Sequence, residues 1–166
     1  MPRRLRPEGL EFIETAPVRL VFTHDVAAPP KAVYEVLEDV RRLPSWHSSV
    51  VYARPFDDGS GRLVRIQGRF WFRETFLATD APTRYAYRID LTNFPGLRAL
   101  VEEWRLTPLE PADGRGPGTR VQWTYAADAV ALTRFLMKRG GRRGMGTSFH
   151  AAVANLDRQL SGAHGG

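Results

Sequence analysis

The chain has 166 residues, 43% of them hydrophobic, with 24 Lys and Arg against 18 Asp and Glu and no cysteine. That is one domain's length with enough apolar content for a core, and it excludes disulfides, thiol nucleophiles and thiolate metal sites. The net charge of +6 is carried almost wholly by arginine, because Lys31 and Lys138 are the only lysines, and the arginines scatter over many segments, which argues against a nucleic-acid partner. No apolar leader follows Met1 and no run is long enough to span a bilayer, so a cytoplasmic protein without stable membrane insertion is expected.

Residues 1–16 read as a basic arm interrupted by Pro2 and Pro7. Residues 17–161 read as a single domain and 162–166 as a tail. From Val18 to Val26 apolar and polar residues alternate, which is strand periodicity, with Val18, Leu20, Phe22, His24 and Val26 on one face. Pro29 and Pro30 suit the first turn of a helix, and Val33, Val36, Leu37 and Val40 follow at helical spacing. Pro44 ends that segment, and residues 41–49 form a second short helix or a turn.

Strands alternate with turn signals from there on: 50–54, the turn 57–61, then 62–67, 69–79, the turn 80–83, then 84–91, the break 93–96, then 97–107, the Pro- and Gly-rich loop 108–118, and 119–127. The total is about seven strands, with connections short enough for antiparallel pairing. The C-terminal segment is helical: a short piece at 130–139, a kink or break among Gly140, Gly141, Gly144 and Gly146, then a helix with Met145, Phe149, Ala152, Val153, Leu156 and Leu160 on one stripe.

A long helix with one apolar stripe and a single antiparallel sheet cover each other best when the sheet curves around the helix, giving an α+β architecture. Aromatic residues gather on the sheet at Phe70, Phe72, Phe76, Tyr85, Tyr87, Trp104, Trp123 and Tyr125, and those of the helices include Phe135 and Phe149. Such side chains either fill a core or line a cavity. With Trp46 and Met145 they are the candidate ligand-binding residues.

Three motifs in order strengthen this reading. The first is Ala28-Pro29-Pro30-Lys31-Ala32-Val33-Tyr34-Glu35-Val36-Leu37-Glu38-Asp39 followed by Leu43-Pro44-Ser45-Trp46. The second runs from Arg73-Glu74 to Ala81-Pro82-Thr83-Arg84-Tyr85-Ala86-Tyr87. The third is Trp104-Arg105-Leu106-Thr107-Pro108 with Gly118-Thr119-Arg120-Val121 beyond the loop. Over residues 18–160 the chain resembles the START-type, polyketide-cyclase-like (SRPBCC) superfamily, which shares the fold of birch pollen allergen. The resemblance implies a helix-grip fold with an internal cavity for a small hydrophobic molecule. It also implies a cyclase, aromatase or dehydratase working by acid–base chemistry, or alternatively a carrier or sensor of a lipid or aromatic ligand. The aromatase/cyclase branch resembles Trp-x-Ser-x-Arg on its central strand, where this chain has Arg69-Phe70-Trp71-Phe72-Arg73-Glu74.

The candidate catalytic residues are Glu74, His47 and Glu102. Glu74 shares a strand face with Phe70, Phe72 and Phe76; if that face looks inward, burial raises its pKa and fits it for proton transfer, whereas an arginine partner would make it structural. Glu102 shares a face with Leu100, Trp104 and Leu106 and is either a second inward carboxylate, which would split the two pKa values, or one half of a cross-strand ion pair with an arginine. His47, beside Trp46, is either a proton shuttle at a pocket entrance or a surface histidine, and Tyr87 or Tyr125 would be hydrogen-bonding partners of the acid. Val64 and Ile66 claim the buried face of their strand, which sends Arg65 to solvent; in the opposite register Arg65 would hold a ligand carbonyl or carboxylate by bidentate contact. The histidines lack metal-ligand spacing and the glycines lack the strand–loop–helix context of a phosphate cradle, so no metal and no cofactor are expected. Homodimerisation stays open.

Overall fold

The computed structural model describes residues 1–111 and 117–162; the centre of the Pro- and Gly-rich loop and the tail from 163, with His164, lie outside the described residues. The chain folds as β1 (Arg3–Arg4), α1 (Phe12–Thr15), β2 (Val18–Val26), α2 (Pro30–Glu38), α3 (Leu43–Trp46), β3 (Val50–Pro55), β4 (Gly61–Ile66), β5 (Trp71–Asp80), β6 (Arg84–Thr92), β7 (Leu97–Leu109), β8 (Gly118–Ala129), α4 (Ala131–Leu136) and α5 (Arg142–Gly162). A single π turn over Met137–Gly141 joins α4 to α5.

The strands form one antiparallel sheet in the order β2-β8-β7-β6-β5-β4-β3. This is the expected meander, with the first long strand returning to lie beside the last. The helix α5 packs on the concave face: Phe149, Ala152, Val153 and Leu156 of its apolar stripe are buried against Phe22, Leu20, Trp104 and Trp123. Close approach is possible because position 146 is glycine; a Cβ there would stand 3.1 Å from the Phe22 ring. α2 carries Pro30 at its first turn, where a missing N–H costs nothing, and buries Val33, Tyr34, Val36 and Leu37. The Asp39 carboxylate then accepts a hydrogen bond from the Arg41 amide at 3.1 Å and starts the turn leading to Trp46. His24 and His150 bring their Nδ1 atoms to 3.1 Å, linking β2 to α5 at the edge of this interface.

Residues 1–16 hold three Arg against three Glu, so the segment carries no excess of basic side chains, and it packs on the domain. β1 pairs with the end of β6, Leu5 is buried, and α1 lays Phe12 and Ile13 on Ala99, Val101 and Ala126 of the outer sheet face. The apolar positions are too few to show a period, but they suffice for a small second core. Of the kink or break expected among the glycines of the C-terminal segment, the structure has an irregularity without a break: the helix runs on through the π turn, which accommodates Gly140 and Gly141 without ending it. None of the described helices is long and apolar enough to cross a membrane.

Candidate functional site

Between the concave face of the sheet and the helices lies a cavity of about 730 Å³. Aromatic and aliphatic side chains make most of its wall: Trp46 from α3, Phe72 from β5, Tyr85 and Tyr87 from β6, Trp104 from β7, Trp123 and Tyr125 from β8, and Met137 and Met145 from the helical side. Four further lining residues are titratable or charged, namely Arg62, Glu74, Glu102 and His47.

Strand register brings these groups together. Arg62 of β4 lies directly opposite Glu74 of β5, Tyr87 of β6 opposite Glu102 of β7, and Glu102 opposite Tyr125 of β8. On one face of an antiparallel pair such partners are nearest neighbours. β4 and β5 meet closely because residue 61 is glycine: a Cβ there would sit 1.9 Å from the Glu74 carbonyl oxygen. Arg62 donates through Nε to Glu74 Oε2 at 2.5 Å, and both residues are buried, 3% and 5% exposed. The guanidinium also lies over the Tyr87 ring, 4.4 Å from its centroid, with the Tyr85 ring 5.7 Å away. Among the described residues the only side-chain hydrogen bond of Arg62 is this one through Nε.

Glu102 is held differently. Its Oε2 accepts from Tyr87 Oη at 2.8 Å and from Trp123 Nε1 at 3.0 Å, and Trp104 Nε1 donates to Tyr87 Oη at 3.3 Å. No cation pairs with it among the described residues, and Oε1 takes no hydrogen bond from them. Glu102 borders the cavity and retains some accessible surface there. Burial and the neighbouring Glu74 charge push its pKa up to about 7, with the hydrogen bonds from Tyr87 and Trp123 partly opposing them. Burial also pushes Glu74 up, with Arg62 pulling back. His47 borders the cavity with Nδ1 unpaired; burial and the Arg62 charge lower its pKa to about 4, so its ring is neutral near pH 7. Burial likewise raises Tyr85, Tyr87 and Tyr125, which stay protonated as donors.

Several expectations change. Glu74 does face inward, but it also has the arginine partner that was its alternative. Glu102 faces inward without an arginine. Its neighbour Glu103, on the opposite sheet face, is the residue bridged by arginines, Arg84 at 2.7 Å and Arg105 at 2.8 Å. His47 lines the cavity, and its lowered pKa makes it a weaker base than a free imidazole. Four of the aromatic candidates do not line the cavity. Phe70 falls in the tight turn before β5, where Gly68 and Arg69 both take positive φ, and packs on Phe94 with ring centroids 4.8 Å apart. Phe76 sits behind the wall, against Tyr85 and Arg62. Phe149 is core between Phe22, Trp104 and Trp123. Phe135 points to solvent and is 54% exposed.

The residue missed from sequence is Arg62. The parity that buries Val64 and Ile66 and sends Arg65 outward also turns Arg62 inward, so the signal was there. Among the described residues, no group of three or more His, Asp or Glu side chains could hold a metal ion.

Comparison with known proteins agrees with this geometry. Residues 17–161 match the family described as "Polyketide cyclase / dehydrase and lipid transport". An uncharacterized protein of Mycobacterium tuberculosis is 30% identical over 131 residues, 76% of this chain and 75% of that protein. A START superfamily protein from Mycobacterium smegmatis superposes with a TM-score of 0.68 at 14% identity, covering 87% of this chain and 98% of the other. The Zhui aromatase/cyclase from a Streptomyces species superposes with a TM-score of 0.59 at 17% identity, covering 86% of this chain and 95% of the other. The sheet wrapped on its last helix, the apolar cavity between them and the match along nearly the whole domain make one statement: this chain belongs to the polyketide cyclase/dehydrase and lipid transport family and has the START-like helix-grip fold.

Proposed function

We propose that the chain binds a small, largely hydrophobic molecule carrying a carbonyl or hydroxyl oxygen, with that oxygen turned toward Arg62, Tyr87 and Glu102. The observation that carries this is the wall of the cavity: about 730 Å³ of mainly apolar space, interrupted by one cluster of buried polar groups. Cavities of this size and character suit ligands of drug-like dimensions, and a few converging polar groups fix their orientation. A second reading, proton transfer on the bound molecule, is favoured by one feature, the unbridged Glu102. With its pKa near 7 and Oε1 taking no hydrogen bond from the described residues, Glu102 can take a proton from carbon beside a ligand carbonyl while the electron pair moves onto the carbonyl oxygen. Arg62 would stabilise the developing charge. Cyclisation or dehydration of a polyketide-like or aromatic metabolite belongs to this class of reaction; a carrier or sensor needs only the binding.

Trp46, Trp104 and Trp123 border the cavity, so their fluorescence reports occupancy. Titration with 2-naphthol and with naphthalene compares a ligand oxygen with its absence on the same ring system. The expected result is roughly tenfold tighter binding of 2-naphthol, with the preference lost in Arg62→Met. Equal affinity for both would remove the polar cluster from recognition. Exchange of the α-hydrogens of 2-tetralone for deuterium, accelerated by the native protein and not by Glu102→Gln, tests the second reading; equal rates would leave binding alone.

A further inference from the structure

The helical segment over the cavity carries exposed apolar and basic side chains. Leu132, Phe135 and Leu136 of α4 are 69%, 54% and 57% exposed, among the few large hydrophobic residues that face solvent. They sit at i, i+3 and i+4 and so share one helix face. Lys138, Arg139, Arg142 and Arg143 follow in the π turn and the first turn of α5, all exposed, with Arg134 half-buried between the apolar residues. The Arg139 guanidinium lies 5.5 Å from the Phe135 ring centroid, which ties the charged and apolar parts into one surface. From Ala129 to Leu156 the sequence contains no Asp or Glu. None of the five cations forms an ion pair among the described residues. Leu136, Gly140 and Gly144 are exposed and also line the cavity, so this is where the cavity comes to the surface.

We infer that this surface docks, peripherally and reversibly, on an anionic lipid bilayer. Charge complementarity selects the partner: five cations without an ion pair among the described residues suit a surface of lipid phosphates. Size argues the same way. Three apolar side chains are far fewer than the roughly 20–30 residues a side of a stable protein interface, whereas inserted side chains added to a basic patch are sufficient for interfacial lipid binding. Docking there sets the mouth of the cavity against the bilayer. The inference goes beyond cavity recognition and does not depend on the ligand proposed above.

The test is sedimentation of the full chain with vesicles of phosphatidylcholine alone or mixed with phosphatidylglycerol. Expected is binding to the mixed vesicles only, weakened about tenfold or more at high salt. Lys138→Glu combined with Arg142→Glu should abolish it, and Leu132→Ser combined with Phe135→Ser should weaken it several-fold. None of these four side chains lines the cavity, and circular dichroism with thermal unfolding of the same variants confirms that they are folded. Equal sedimentation of native protein and the charge-reversed variant overturns the inference, as does no sedimentation with either vesicle. A self-association that Phe135→Ser removes, without lipid binding, would assign the surface to a second copy instead.

Discussion

Glu102 and Glu103 are consecutive residues of β7 and face opposite sides of the same sheet. Glu103, on the outer face, has an arginine on each oxygen, Arg84 on Oε1 and Arg105 on Oε2. Glu102, on the inner face, has among the described residues a phenol and an indole, both on one oxygen, and a cavity beyond. Glu103 is buried and Glu102 keeps some accessible surface toward the cavity, and their partners separate them further. A carboxylate with full counter-charge holds strands together, while one left to neutral donors in a low-dielectric wall has a proton affinity that changes near neutral pH. Arg62 and Glu74 stand between the two cases, matched in charge like Glu103 but facing the cavity like Glu102.

The largest effect expected from breaking this comparison is at Arg62. Arg62→Ala strands Glu74 in a buried site and should cost about 3–5 kcal/mol in chemical denaturation, whereas Arg84→Ala, which leaves Glu103 its second arginine, should cost about 1–2 kcal/mol. Replacing the inner pair together, Arg62→Met with Glu74→Leu, should recover most of the stability while leaving the 2-naphthol preference lost.

Next come two opposed pH effects. Glu102 is raised from 4.5 to about 7, so native protein keeps a proton that the unfolded chain has released, and stability falls by about 3 kcal/mol as pH rises through that window. His47 is lowered from 6.5 to about 4, so the unfolded chain takes up a proton that native protein refuses, and stability falls by about 3 kcal/mol as pH drops through that window. Where the windows overlap, the contributions of these two groups cancel. Glu102→Gln should uncover an acid-side loss and His47→Asn an alkaline-side loss, each read from denaturation midpoints across the range. Failure of both variants to change the slope would overturn the assigned protonation states. The smallest effect belongs to Phe135→Ser, within about 0.5 kcal/mol of native stability, against about 3–5 kcal/mol for Phe149→Ala in the core.

Much of the fold was legible because apolar period and turn residues repeat the same message along the chain: the alternation from Val18, the proline start of α2 and the stripe through Phe149 and Leu156 each fix an element. Parity placed Glu74 on one face with Phe72 and Glu102 on one face with Trp104, but parity in one strand does not say which face looks inward. Pairing was not legible either. Whether Glu74 or Glu102 meets an arginine depends on which residue lies across the strand gap, and the register shifts near Glu74 and Phe76 are invisible in a single strand's pattern. The docking of residues 1–16 was hidden for another reason, since Phe12 and Ile13 need a partner surface that only the assembled sheet provides. Phe70, Phe76, Phe135 and Phe149 show that an aromatic residue in sequence does not say which wall it serves.

The π turn at Met137–Gly141 has one more consequence. It adds a residue to the helical winding, and each residue of an α-helix advances the phase by about 100°. A chain one residue shorter in that segment would swing α4 by this amount relative to α5, carrying Leu132 and Phe135 off their present heading while Phe149 and Leu156 stayed in place. Chain length at this joint, as much as hydrophobicity, therefore decides which side chains face water.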